Sequence, residues 1–126
     1  MKSPGHQRWP AHKVKESPLA GKAEVQVAGE LVADSGDVIR VEEDGSPVRL
    51  YFPRGAVARD KLEPSSTSSQ CPFKGTARYF NLKVEGKTLN DAVWSYEEPF
   101  EEHQALKDRL AFYDDKFPEM DIRTSS

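Results

Sequence analysis

The sequence has one cysteine, Cys71, among its 126 residues. A single thiol excludes an internal disulfide and leaves any all-protein zinc site short of thiolates, so neither a metal nor a cofactor is implied. Long apolar runs are missing too, with nothing near the roughly 18 residues needed to cross a bilayer. The opening MKSPGHQRWP lacks the apolar core of a signal peptide. With the free thiol, that makes the expected setting cytoplasmic. Basic charge is not in excess: 18 Lys and Arg stand against 21 Asp and Glu, a net charge of −3. That balance gives no electrostatic case for a nucleic-acid partner. What remains is a hydrophilic but foldable chain, 37% hydrophobic, 31% charged and 10% aromatic, with a mean hydropathy of −0.72. Its length suits one domain with a modest core.

Residues 1–21 carry Pro4, Pro10 and Pro18 with His6, His12 and Trp9, and read as an extended N-terminal arm whose first residues are free. Such an arm, laid over the domain, could complete a pocket. The body spans 22–117. Ala23, Val25 and Val27 alternate with polar residues as a half-buried strand does, and Leu31 to Ala33 returns after the tight Ala28-Gly29-Glu30 connection. Val38 to Val41 and Val48 to Phe52 are further strands, the latter closed by Pro53. Ala56 to Leu62 fits either one helical turn or a bent strand.

Leu62 to Tyr79 reads as a shaped loop, because Pro64 and Pro72 fix φ, Gly75 can take positive φ, and Ser65 to Ser69 are hydroxyl-bearing. Arg78 to Val84 and Thr88 to Tyr96 then form a second hairpin about Glu85-Gly86-Lys87. On its return strand Ala92, Trp94 and Tyr96 share a face. Pro99 with Glu97, Glu98, Glu101 and Glu102 resembles a helix start, and Leu106, Leu110 and Tyr113 recur at helical spacing. The expectation is one amphipathic helix over about 99–113, followed by a C-terminal tail at 118–126.

Chemically capable residues fall into two sets. Cys71 is a candidate nucleophile if Lys74 and Arg78 favour its thiolate, and His6 a candidate base, with Lys74 or Arg54 stabilising negative charge. Against catalysis, no histidine has the spacing of a known triad or of HExxH, GxxxxGK[ST] is absent, and free cysteine is commonly a small buried hydrophobe. Arg54, Lys74, Trp94, Tyr96 and Trp9 form the second set: rigid aromatics and cations suited to a groove for a small amphipathic or anionic ligand or a peptide. A passive structural or interaction module is the third reading. The expected partner is a small molecule or peptide, without nucleic acid or membrane, and self-association into a homo-oligomer stays open.

Several segments together resemble a known family. They are Pro4-Gly5-His6, Val32-Ala33-Asp34-Ser35, Tyr51-Phe52-Pro53-Arg54, Leu62 with Pro64-Ser65, Cys71-Pro72-Phe73-Lys74-Gly75 with Ala77 and Tyr79, Asn90 to Glu97, Pro99, and Leu110 to Tyr113. The chain resembles the bacterial and fungal domain of unknown function family 427, over almost its whole length. The resemblance implies a mainly β, small antiparallel β-tent or Mss4-like fold with one helix packed on the sheets, and no established activity. A nucleotidyltransferase-like label is attached to the family, but Gly-Ser followed by paired aspartates is absent here. The paired CxxC motifs of zinc-bearing β-tents are absent as well.

Overall fold

The computed structural model describes residues 2–125. The terminal residues of the expected arm and tail, Met1 and Ser126, lie outside them. The chain is mainly β: the described residues form ten strands in three antiparallel sheets ordered β1-β4-β5, β10-β2-β3 and β6-β7-β8-β9. These strands are β1 (Val14–Pro18), β2 (Lys22–Val27), β3 (Glu30–Ser35), β4 (Ile39–Glu43), β5 (Arg49–Tyr51), β6 (Leu62–Cys71), β7 (Gly75–Val84), β8 (Lys87–Tyr96), β9 (Leu110–Phe112) and β10 (Met120–Ser125). Among the described residues the one α-helix, α1, is the short segment Pro4–Arg8.

The first hairpin follows from the alternation. Ala23, Val25 and Val27 are all buried, and Ala28 and Gly29 both take positive φ, the twist a two-residue hairpin loop needs. β3 carries a bulge opposite Val25/Gln26, which lets the consecutive residues Val32 and Ala33 both face inward. Glu85-Gly86 makes the second two-residue turn, again with positive φ at both residues.

In the four-stranded sheet, β9 and the C-terminal half of β8 are buried on both faces, while the edge strand β6 is largely exposed. Leu82, Val93, Leu110 and Phe112 pack into one core with β2 and β3, while Ala77, Trp94, Tyr96 and Ala111 pack into a second with Val41 and Tyr51. A bulge on β8 resets the register between the two: Asp91 adopts φ 54° and its N–H donates to Asn81 Oδ1 at 2.9 Å. Ala92 therefore lies in the first core, not on the face of Trp94 and Tyr96. Ser65 and Thr67 hydroxyls donate to the Asp91 carboxylate, so this part of the serine-rich stretch braces the bulge.

Three local expectations are corrected. Leu62 to Tyr79 is not a loop: it is two paired strands joined by the turn Pro72-Phe73-Lys74, with a register irregularity between Pro64 and Ser68. The segment 56–62 takes the first of its two expected forms, with a 3-10 turn at Arg59–Lys61 after another at Arg54–Ala56. The helix over 99–113 is absent. In its place is a 3-10 segment, Glu101–Leu106, broken at His103, then a turn with Asp108 at φ 62°, then β9. Helical spacing misleads here because Leu106 and Leu110 serve different cores, and Leu110, Ala111 and Phe112 are all buried. A strand between two cores can bury consecutive residues; one face of a helix cannot. Residues read as arm form α1 and β1, and residues read as tail form β10 against β2.

Candidate functional site

All four tyrosines of the chain, with Trp94, line one cavity of about 170 Å³. β5 supplies Tyr51, β7 Tyr79, β8 Trp94 and Tyr96, and Tyr113 follows β9. The pairing Tyr79↔Trp94 and Ala77↔Tyr96 places the β7 and β8 rings on the same face. Trp94 Nε1–H donates to Tyr51 Oη at 3.1 Å, and the Trp94 and Tyr113 centroids are 4.2 Å apart. Tyr79 stacks parallel to Tyr113 at 6.2 Å, and Ser69 Oγ lies 2.9 Å from Tyr79 Oη.

Three charged side chains complete the lining. Lys74, only 8% exposed, hydrogen-bonds Glu43 and lies over Tyr96 at 5.8 Å from the ring centroid. On its other oxygen, Glu43 meets His12 Nε2 at 3.0 Å. The Arg49 guanidinium lies 5.1 Å from the Trp94 centroid and 5.2 Å from that of Tyr113, and it pairs with Asp115 at 2.9 Å. The remaining lining residues are Val41, Ser46 and Pro47.

The electrostatics follow from this packing. Burial works to raise the Glu43 pKa, but the Lys74 ammonium and His12 outweigh it and hold the carboxyl below its ordinary range. Burial pushes the Tyr51 and Tyr96 phenols well up, and Tyr113 up to about 12. At neutral pH these phenols are hydrogen-bonding groups, not bases. Among the described residues nothing hydrogen-bonds the Tyr96 hydroxyl, which leaves it available to a guest.

The sequence candidates divide. Lys74, Trp94 and Tyr96 meet in the cavity, and half-buried Cys71 packs against the same core. Among the described residues no hydrogen-bonding base reaches the Cys71 thiol. Arg54 lies elsewhere, in a groove with Arg59, Leu62 and Phe80, bonded to Ser95 Oγ at 3.0 Å and to the Asp108 carbonyl at 3.1 Å. Trp9 is 48% exposed, in an open groove with Arg8, Pro10, His12, Pro72 and Phe73.

His6 joins a separate chain. His103 Nδ1 hydrogen-bonds Glu16, and the two Nε2 atoms of His103 and His6 are 2.9 Å apart. His6 packs edge-on against Phe73 at 5.0 Å and His12 stacks on it at 4.1 Å, so all three histidines gather at the turn that carries Lys74. Among the described residues no group of three or more His, Cys, Asp or Glu is placed to hold a metal. No helix of the described residues is long and apolar enough to cross a membrane.

Sequence reasoning missed Tyr51, Tyr79, Tyr113, Arg49 and Glu43 as cavity residues. Tyr51, Tyr79 and Tyr113 looked like strand or helix packing, and the convergence depends on pairings between distant strands. A usable signal was that Tyr51, Tyr79 and Tyr96 all fall in segments with strand-like alternation.

The architecture is thus that of a small antiparallel β protein built around an aromatic cavity with an internal ion pair. The chain belongs to the family described as a domain of unknown function, DUF427, whose model matches residues 16–125. No curated protein matches the chain.

Proposed function

We infer that the protein is a binding domain for a small amphipathic or anionic molecule about the size of one ring. The observation that carries this is the cavity itself: five aromatic side chains around about 170 Å³, with Lys74 and Arg49 on its lining and a Tyr96 hydroxyl that has no hydrogen-bond partner among the described residues. An apolar cavity of about 150 Å³ accommodates a benzene ring, so the size suits a single-ring guest and is small for a peptide. Both lining cations are paired, Lys74 with Glu43 and Arg49 with Asp115, so a guest monoanion is bound by sharing these ion pairs. Lys74 is already neutralised by Glu43, so the guest acid exchanges with the Glu43 carboxylate or bonds beside it. Rigid rings and fixed charges lower the ordering cost of binding.

Catalysis finds less support. Among the described residues Cys71 has no hydrogen-bonding partner, and His6, though hydrogen-bonded to His103, is not among the cavity-lining residues. A β-tent or Mss4-like arrangement and a cytoplasmic setting go with this proposal.

A thermal-shift screen of single-ring carboxylates, benzoate and nicotinate among them, tests it. Saturable stabilisation that Tyr96→Phe and Lys74→Met weaken and Cys71→Ala leaves intact is the expected result. No stabilisation by any such compound, or loss of it only with Cys71→Ala, would overturn the reading.

A further inference from the structure

The cavity cation Lys74 sits on a turn that the N-terminal segment grips. Gly5 N–H donates to the Pro72 carbonyl at 2.7 Å, and Ser3 Oγ donates to that same oxygen at 2.7 Å. The Ser3 N–H donates to Glu102 at 2.9 Å, tying α1 to the 3-10 segment as well. The fit is close: a Cβ on Gly5 would lie 2.6 Å from Pro72 O and 2.7 Å from Phe73 Cδ1. The side-chain bond that closes this contact joins His6 to His103, whose side chain is only 4% exposed.

That bond has a fixed proton capacity. When Glu16 is ionised it accepts Nδ1–H of His103, so neutral His103 presents an Nε2 lone pair, which accepts Nε2–H from His6. One added proton is tolerated: His103 becomes an imidazolium, still facing Glu16, and now donates Nε2–H to His6 in its other tautomer. A second proton places N–H against N–H, and no tautomer restores the bond.

We propose that Glu16, His103 and His6 form a pH-sensitive clasp that holds the N-terminal segment over the Pro72-Phe73-Lys74 turn and releases it when both imidazoles are protonated. The clasp regulates the cavity and in that respect rests on the binding reading above; its opening does not. Charged and titratable groups face His6 from each neighbouring element: His103 and Glu102 from the 3-10 segment, His12 from the connection before β1, and Glu43 from β4. Glu16 on β1 lies behind His103, Lys74 binds Glu43 from the turn, and Arg8 shares α1. Burial, and then His103, lower the His6 pKa, while Glu102 and Glu43 oppose this. Opening therefore belongs on the acid side of the ordinary histidine range.

Trp9 reports the clasp directly, because its ring is 6.1 Å from Phe73 and leaves with the segment. In a Trp94→Phe background, where Trp9 is the remaining tryptophan, the emission is followed from pH 8 to 5, with circular dichroism confirming that the sheets persist. The expected result is a step in emission that steepens beyond one proton. His6→Gln should abolish it, since an amide can donate to neutral His103 or accept from charged His103. Glu16→Gln should move it to lower pH, because His103 loses the carboxylate that supports its proton. A step unchanged in His6→Gln, or no step in the parent protein while NMR shows both imidazoles titrating, would refute the clasp. If a variant fails to fold, NMR line shapes of Trp9 at pH 7.5 and 5 in the unsubstituted protein distinguish the same two outcomes. For the cavity, benzoate affinity should be roughly tenfold lower at pH 5 than at 7.5 if about 90% of the clasps have opened. That dependence should vanish in His6→Gln. A Trp9 step without benzoate binding at either pH would sink the binding reading and leave the clasp standing.

Discussion

Replacing Lys74 by methionine removes one partner of a pair whose side chains are 11% and 14% exposed. Truncating a buried pair typically costs about 3–5 kcal/mol, because the surviving charge stays desolvated. Here Glu43 keeps His12 at 3.0 Å, which brings the expected loss to roughly 2–4 kcal/mol. At about 4 °C per kcal/mol for a domain of this size, the melting temperature falls by roughly 10 °C. Glu43→Gln removes the stranded charge, so the double variant should be less destabilised than the two single losses predict, with a coupling of about 1–3 kcal/mol. Urea denaturation of all four proteins at pH 7 measures this cycle. Acid titration adds a second reading. The folded Glu43 carboxyl binds its proton less readily than the unfolded one, so its stabilisation is present above about 4.5 and is lost as pH falls through the depressed folded value. Lys74→Met should shrink that acid-dependent loss. Additive losses, or a Lys74→Met protein as stable as the parent, would refute the view that the pair is a buried, coupled element.

Further outcomes follow from other contacts. Gly5→Ala should detach the N-terminal segment from the Pro72 carbonyl, seen as a shift in Trp9 emission and faster proteolysis near Trp9, with the sheets intact. Phe112→Ala should cost about 3–5 kcal/mol in urea, as expected of a fully buried ring removed from a strand. Alkaline absorbance titration should show Tyr113 ionising near 12, with Tyr51 and Tyr96 also delayed relative to the unfolded chain. Because those folded values are raised, their contribution to stability is full below about 10 and declines as pH rises toward and past 12. Arg54→Ala should leave binding in the aromatic cavity unchanged, since Arg54 lines a different groove.

Local pattern carried much of the fold. Period-2 alternation located β2 and the β7–β8 hairpin, and Ala28-Gly29 and Glu85-Gly86 marked their turns. It failed where one segment answers to two cores. The Leu106 to Tyr113 spacing matches a helix numerically, yet the pairing of Val93 with Phe112 and Ser95 with Leu110 draws that stretch into a sheet. Proline and serine in 62–71 suggested a loop, but the irregularity between Pro64 and Ser68 absorbs the proline, and Asp91 takes the hydroxyls. The site was legible only in part for the same reason. Lys74 beside a Pro/Gly-shaped turn, and Trp94 and Tyr96 on one strand, were visible as chemistry-bearing residues. Tyr51, Arg49 and Glu43 reach them through tertiary packing that no local pattern encodes. His6 stood out as costly for a free end, but its partner His103 is 97 positions away.

The indole N–H resonances of the two tryptophans offer the most direct test of the cavity as a binding site. Trp94 Nε1–H is fixed on Tyr51 in the cavity wall, while Trp9 sits in the separate open groove and serves as an internal control. Titrating benzoate at pH 7.5 should move the Trp94 indole signal along a saturable curve and leave Trp9 nearly still, with the Trp94 shift lost in Tyr96→Phe. A Trp94 signal that stays in place, or both signals drifting linearly together, would contradict the account.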